Sequence, residues 1–364
     1  MSRYRPRFLI GRGAMGEIWL GTLEGPEGFR RPVVVKRARD DEAEARAALV
    51  AEAHVASVVA HPNVVHVHEL VKTADGLVLA MEYLSGLSVR ALLSRLRLES
   101  VCVPWPIAAR IASDAARGLH AAHVATSLGG EPMGIVHRDL SPENLVTIEP
   151  GLTKVLDFGI ARSRFRTPTV VPTVKGKLAY LSPEQARGEP LDPRSDAFAL
   201  GSVLVELLTG TAPFRRGDPL ATVEAVLAAI VPPLPPDVPP ALASVVRRLL
   251  ARTRDDRPAD LGAVADELDT IAGPRGRHRD VALFLRAEVG DVLAASRERL
   301  QALGSPDTEP HAAIPTRVTT LHALAGTMAA LDPTDEGTAP DADELTEIDG
   351  VATALLLTKK KRSG

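Results

Sequence analysis

Short polar motifs in a fixed order constrain this 364-residue chain more than its composition does. Gly11, Gly13 and Gly16 stand between two apolar runs, and Lys36 ends the next apolar run, residues 33–36. Further along come Glu52, His137-Arg138-Asp139, Asn144, Asp157-Phe158-Gly159, Pro183-Glu184, Asp196 and Arg257. A loop with three glycines lets backbone N–H groups approach phosphates closely, because no Cβ stands in the way. The same spacing opens dinucleotide-binding folds and also occurs in ordinary turns. Here Ile18 and a strand-like segment follow the glycines where a dinucleotide-binding unit would start a helix.

Residues 4–84 read as strand-rich with one helix. Residues 33–36 form a buried strand, and residues 40–59 a helix with acidic groups near its start, where the helix dipole favours them. Residues 64–71 and 77–83 flank Lys72-Thr73-Ala74-Asp75-Gly76, a hairpin signal. From residue 85 the pattern is mainly helical. Residues 196–208 are apolar on nearly every face, as in a helix at the centre of a lobe. In residues 280–299, Val281, Phe284, Leu285, Val289, Val292 and Leu293 recur at helical spacing, which predicts an amphipathic helix docked on the body. Beyond residue 304, Pro306, Pro310, Pro315, Pro333 and Pro340 among Asp, Glu and Thr predict a disordered tail. Thr346 in that tail reads as part of an acidic linker, and Lys359-Lys360-Lys361-Arg362 as a solubilising end. The expected class is α+β, with a small β-rich lobe and a larger helical one.

A content of 45% hydrophobic and 24% charged residues suits a globular protein. Cys102 is the only cysteine, which rules out an intrachain disulfide and a Cys-based metal cluster and fits a reducing compartment. A net charge of −3 provides no global basic field for nucleic acid. No leader is expected before residue 11, and the late apolar run 351–357 falls short of the roughly 20 residues that span a bilayer. A cytoplasmic protein without a membrane span is expected.

Lys36 on a buried strand needs a counter-charge, and Glu52 on the following helix can supply it. A purely structural ion pair would satisfy the same need. Glu52, however, precedes His61-Pro62-Asn63-Val64-Val65, and the whole series follows in order. Residues 11–257 resemble the catalytic domain of bacterial eukaryotic-like (Hanks-type) Ser/Thr protein kinases, whose signature set is present almost in full.

The resemblance implies a bilobal protein-kinase fold over residues 4–273, with lobes 4–84 and 85–273. A helical extension over 274–303 and a tail over 304–364 follow. It implies transfer of the ATP γ-phosphoryl group to Ser or Thr hydroxyls of proteins, with Mg²⁺ across the phosphates. Asp139 then orients the acceptor hydroxyl and takes its proton, while Lys36 pairs with Glu52, and Asn144 and Asp157 ligate the metal, a hard cation needing oxygen ligands. Gly11, Gly13 and Gly16 cover the phosphates. Adenine lies between Ile10, Ile18 and Val34 on one side and Val146 on the other, with Met81 at the back and the backbone of Glu82 and Leu84 hydrogen-bonding the base. These aliphatic side chains are also core, since a pocket wall is core with one face open. Glu184 pairs with Arg257, and Asp196 accepts backbone hydrogen bonds from the catalytic loop, both scaffold roles. Arg138 implies a cationic pocket for a phosphate on the activation loop. That loop offers Ser163, Thr167, Thr169 and Thr173, of which Thr173 and Thr169 are the expected autophosphorylation sites, modified in a transient homodimer.

Two positions depart from the family pattern. Ser141 stands where most Ser/Thr kinases carry a lysine two residues after the catalytic Asp, and Lys177, after Gly176, stands where they usually carry a threonine. The two are expected to touch and to compensate, Lys177 bringing in the cation that Ser141 lacks. Lys177→Ala is then expected to lower kcat far more than Lys175→Ala. A solvated loop lysine is the plainer alternative for Lys177. The departures also leave room for a pseudokinase, an ATP-binding scaffold whose output is binding. A small-molecule kinase is disfavoured by Ser182-Pro183-Glu184 and the region 188–196 that follows.

Overall fold

A computed structural model describes residues 3–13, 16–38, 43–73, 76–127, 129–158 and 177–304. Gly159, the loop hydroxyls Ser163, Thr167, Thr169 and Thr173, Lys175, Gly176 and the tail from residue 305 lie outside the described residues.

Five antiparallel strands open the chain: β1 (Tyr4–Gly13), β2 (Gly16–Glu24), β3 (Arg30–Arg37), β4 (Val67–Thr73) and β5 (Gly76–Glu82). They lie in the order β1-β2-β3-β5-β4. Successive side chains of a strand point to opposite faces, and β3 has apolar residues on both. Val33 and Val35 pack with Tyr4, Val78 and Ala80 on one side, while Val34 joins Leu20, Leu79 and Met81 on the other. Helix α1 (Ala43–Val58) covers that second face and buries Ala45, Leu49 and Val55 in it. Gly16 sits at φ +134°, and a Cβ there would lie 1.9 Å from the Arg37 carbonyl oxygen. The close approach of β3 therefore demands this glycine, whatever lies above the loop.

The larger part is helical around a short sheet of β6 (Gly86–Ser88), β7 (Leu145–Ile148) and β8 (Thr153–Val155). Its helices are α2 (Val89–Leu98), α3 (Trp105–His123), α4 (Pro183–Arg187), α5 (Pro193–Thr209), α6 (Pro219–Ala228), α7 (Pro240–Leu249), α8 (Leu261–Ala272) and α9 (His278–Ala302). Starts are written locally. Pro193 and Pro219 stand in the first turn behind Asp192 and Asp218, whose carboxylates accept backbone N–H bonds from Arg194 and Ala221. Helix α5 is buried without interruption from Ser195 to Leu208 and packs on α3.

Two boundaries differ from the sequence expectation. The strand expected over 64–71 is β4, shifted to Val67–Thr73. Val64 instead bridges Val155 of β8 in parallel, and Val65 N–H donates to the Val155 carbonyl. An apolar run specifies burial but not the partner. The helix expected over 40–59 is described as Ala43–Val58, residues 40–42 lying outside the described ones.

Helix α9 docks as an amphipathic element, with Val281, Leu285, Val289 and Leu293 buried and a kink at Val289, whose φ is −134°. Its ends are tied down. His278 Nε2 lies 3.0 Å from Asp114 Oδ1, Arg297 Nε reaches Glu149 at 3.2 Å, and Ser296 Oγ is 2.6 Å from the Tyr83 hydroxyl, just past β5. Among the described residues no helix is long and apolar enough to cross a membrane.

Candidate active site

Asp196, in the first turn of α5, organises the loop that carries Asp139. Its carboxylate accepts N–H bonds from His137 at 2.8 Å and Arg138 at 2.9 Å, and lies 2.8 Å from His123 Nε2. Burial pushes this carboxyl up, but the hydrogen bond and charge of His123, with His137, hold it below the ordinary carboxylate range. Arg138 is left-handed at φ +68°, and Asp157 at φ +49°. Such backbones cost about 1–3 kcal/mol each in a non-glycine residue and persist where surrounding bonds over-determine them. His137 Nε2 is 2.9 Å from the Leu156 carbonyl oxygen, and its Nδ1 accepts the Asp139 N–H at 3.3 Å. A carbonyl can only accept, so the proton of this imidazole sits on Nε2.

The loops bearing Asp139 and Asp157 are thereby stitched together. Leu156 N–H donates to the Asn144 carbonyl at 2.9 Å, and Asn144 Nδ2 donates to the Asp139 carbonyl at 2.7 Å and to Asp139 Oδ2 at 3.3 Å. With its amide nitrogen committed to Asp139, Asn144 has its side-chain oxygen as the remaining donor atom. Together with the Asp157 carboxylate it forms a pair of hard oxygens on adjacent loops. That set fits a divalent ion shared with phosphate oxygens and water, and falls short of an all-protein cage.

Lys36 joins the two lobes. Its ammonium is 2.7 Å from Glu52 Oε2 on α1 and 3.1 Å from Asp157 Oδ1, and the residue is 8% exposed. Burial alone would lower its pKa, but the charges of Asp157 and Glu52 outweigh burial and raise it, so the ammonium stays protonated. Burial pushes Glu52 up, and Asp157 pushes it further against the pull of Lys36. One ammonium thus faces two carboxylates, a nearly enclosed one on Glu52 and a half-buried one on Asp157.

The aliphatic residues expected around a base are near one another in the sheet register: Gly11 pairs with Ile18, and Val34 with Met81. Ile10, Val34, Met81, Leu84 and Val146 are buried in one core, and Ile18 packs against it. Glu82 N–H already donates to the His66 carbonyl at 2.9 Å, and its carboxylate holds Lys154 at 2.6 Å. A base could therefore meet the Glu82 backbone only through its carbonyl oxygen, or bond to Leu84.

Lys177 Nζ lies 2.7 Å from Asp139 Oδ2. Ser141 Oγ is buried without a hydrogen-bond partner among the described residues, as is Arg138 Nε. Sequence reasoning missed the network behind Lys177. Arg90 Nε donates to Glu143 at 2.8 Å and its Nη1 to Glu206 at 2.7 Å, while its Nη2 and Glu206 both bond the Tyr180 hydroxyl. A signal existed: Glu206 is a lone carboxylate inside the apolar run of α5, and a buried carboxylate needs a partner. The pair of Glu184 and Arg257 is present as two bonds of 2.8 and 2.9 Å, with the guanidinium 4.9 Å from the Phe198 ring centroid.

Residues 4–268 match the protein kinase domain. The tyrosine-protein kinase MasK of Myxococcus xanthus is 37% identical over 84% of this chain and 49% of its own length. The Ser/Thr-protein kinase pkn3 of the same organism is 35% identical over 80% of this chain and 54% of its own, and PknB of Mycolicibacterium smegmatis 35% over 70% and 41%. The chain spans about half the length of these relatives. With Lys36, Glu52, Asp157, Asn144 and Asp139 linked through one chain of hydrogen bonds and the domain match running from the first strand into α8, the chain belongs to the protein kinase family.

Proposed function

We propose that this chain is a Ser/Thr protein kinase that moves the γ-phosphoryl group of ATP to protein hydroxyls in the cytoplasm. Family membership implies ATP as a substrate and typically a divalent metal, here read as Mg²⁺. The observation that carries the proposal is Lys36 bridging Glu52 and Asp157 while Asn144 ties Asp157's neighbour to Asp139. An ATP-binding scaffold would not need Asp139 in that arrangement.

In this reaction Asp139 positions the acceptor hydroxyl and takes its proton as oxygen attacks the γ-phosphorus. Lys36, kept charged by two carboxylates, holds phosphate oxygens, and Glu52 fixes the lysine's direction. When bound, a Mg²⁺ held by Asn144 and Asp157 supplies positive charge across the phosphates. Ile10, Ile18, Val34, Met81 and Val146 enclose the base, and the loop of Gly11, Gly13 and Gly16 covers the phosphates. Positioning and charge, with little covalent work by the protein, are what phosphoryl transfer requires. Activation-loop autophosphorylation in a transient homodimer belongs to the same proposal.

The test is transfer of label from γ-labelled ATP with Mg²⁺ to the protein itself and to a generic basic protein, comparing wild type with Asp139→Asn. Label in wild type that the variant loses supports the proposal. Absent label with intact ATP binding would put the pseudokinase first. Because one relative is named a tyrosine kinase, acid hydrolysis of the labelled product should distinguish phosphoserine and phosphothreonine, the expected result, from phosphotyrosine.

A further inference from the structure

Whereas Lys36 meets Asp157, Lys177 meets the catalytic loop at Asp139. Its ammonium is 2.7 Å from Asp139 Oδ2, and the two side chains are only 13% and 17% exposed. A solvated loop lysine has no reason to give up water there, since desolvating an ammonium is costly without a good partner. Its backbone is held as firmly. Lys177 precedes a single 3₁₀ turn, Leu178–Tyr180, and its carbonyl accepts the Tyr180 N–H at 3.1 Å. The Tyr180 hydroxyl is fixed between Arg90 and Glu206, and Arg90 also grips Glu143, the neighbour of Asn144. One largely enclosed arginine therefore ties the segment bearing Lys177 to the loop bearing Asp139 and Asn144.

An ammonium at a proton acceptor can act in two ways. It lowers the carboxylate's affinity for a proton, which would brake the base, or it meets negative charge that develops on a group passing beside the base. Lys36 supplies charge at the Asp157 end of the site, where it is committed to Glu52 and Asp157. The Asp139 end, where the acceptor must enter, has Lys177. Ser141, two residues beyond Asp139, is 1% exposed and its hydroxyl has no hydrogen-bond partner among the described residues. A buried hydroxyl without a partner costs about 1–3 kcal/mol, a cost removed when a bound group completes it.

We propose that Lys177 is a catalytic residue, the cation that meets the transferring phosphoryl group, delivered from the activation segment and mounted by Arg90, Tyr180 and Glu206. The proposal rests on the transfer reaction above. In that step the acceptor oxygen bonds to the γ-phosphorus as the bond to the β,γ-bridging oxygen breaks. The hydroxyl proton passes to Asp139, the electron pair leaves with ADP, and Lys177 pairs with the equatorial oxygens while they carry the most charge.

Steady-state transfer by the full chain, with Mg²⁺ and ATP, is to be compared for wild type, Lys177→Met and Lys177→Arg, with melting temperature and nucleotide affinity measured on each. The expected result is a kcat lower by about 10²-fold or more in Lys177→Met, the size seen when one donor to a transition-state charge is removed. The ATP KM and melting temperature stay near wild type, and Lys177→Arg recovers much of the loss. Wild-type kcat in Lys177→Met overturns the proposal, as does a loss that tracks melting temperature. A higher kcat in Lys177→Met overturns it in favour of a brake on Asp139. A wild type that transfers no label overturns the kinase reading itself, a result distinct from the first three.

Discussion

Glu184 and Arg257 show what single residues contribute to this scaffold. The Arg257 side chain is fully enclosed and Glu184 is 3% exposed. Burial pushes the Glu184 carboxyl up, yet the hydrogen bonds from Arg257 and Ser195 hold it down at about 2, against an ordinary 4.5. A depressed folded-state pKa means that the unfolded chain binds more protons between those values, so stability rises with pH there. The contribution is complete above about pH 4.5 and fades as pH falls towards about 2. Denaturant melts of wild type and Glu184→Gln at pH 7 and pH 3 should differ much more at pH 7. Arg257→Leu leaves the carboxylate buried and unpaired, and should cost about 3–5 kcal/mol in the same melts. Ser141 runs the other way: its hydroxyl has no hydrogen-bond partner among the described residues, so Ser141→Ala should be neutral or stabilising by about 1 kcal/mol in the ligand-free protein. Glu184 and Arg257 could be paired from the sequence because each sits in a recognisable motif. Arg90 could not be joined to Tyr180 and Glu206, since no local pattern says which arginine a buried glutamate will meet.

Helix α9 and the turn before α4 are the elements whose placement bears on the cleft. The amphipathic pattern of α9 was legible: of the six predicted residues Val281, Leu285, Val289 and Leu293 are buried, Phe284 and Val292 are half-buried, and Ala282 and Ser296 are buried besides. Its landing place was not. Ser296 meets the Tyr83 hydroxyl, which lies between the two residues expected to bond the base. Tyr83→Phe should therefore lower stability by about 1 kcal/mol, the usual value of one hydrogen bond, and a double-mutant cycle with Ser296→Ala should show that the two losses are shared. Strand β4 teaches the same lesson, because the apolar residues Val64 and Val65 look like its first residues and instead bond to β8. The glycine loop was read as a cover for phosphates, and Gly16 is demanded in any case by the Arg37 carbonyl 1.9 Å from where its Cβ would be.

For the whole molecule, the decisive contact is the one between lobes. Lys36 comes from β3, Glu52 from α1 and Asp157 from beyond β8, and they meet within 3.1 Å. Lys36→Met would leave the carboxylates of Glu52 and Asp157 without their shared cation. Transfer should fall by about 10³-fold or more while circular dichroism stays unchanged, which labelled-ATP assays and far-UV spectra would check. Motif order alone pointed to the family and the two-lobed class and named the groups proposed to handle phosphate, because those residue types in that order match one family's signature. The resemblance already expected Lys177 at the catalytic loop; the tertiary structure alone decided that Arg90 mounts the segment carrying it and that α9 braces the strand end at Tyr83. These are contacts between segments far apart in the chain, set by how buried charges find partners once the helices have packed, and no local spacing encodes them.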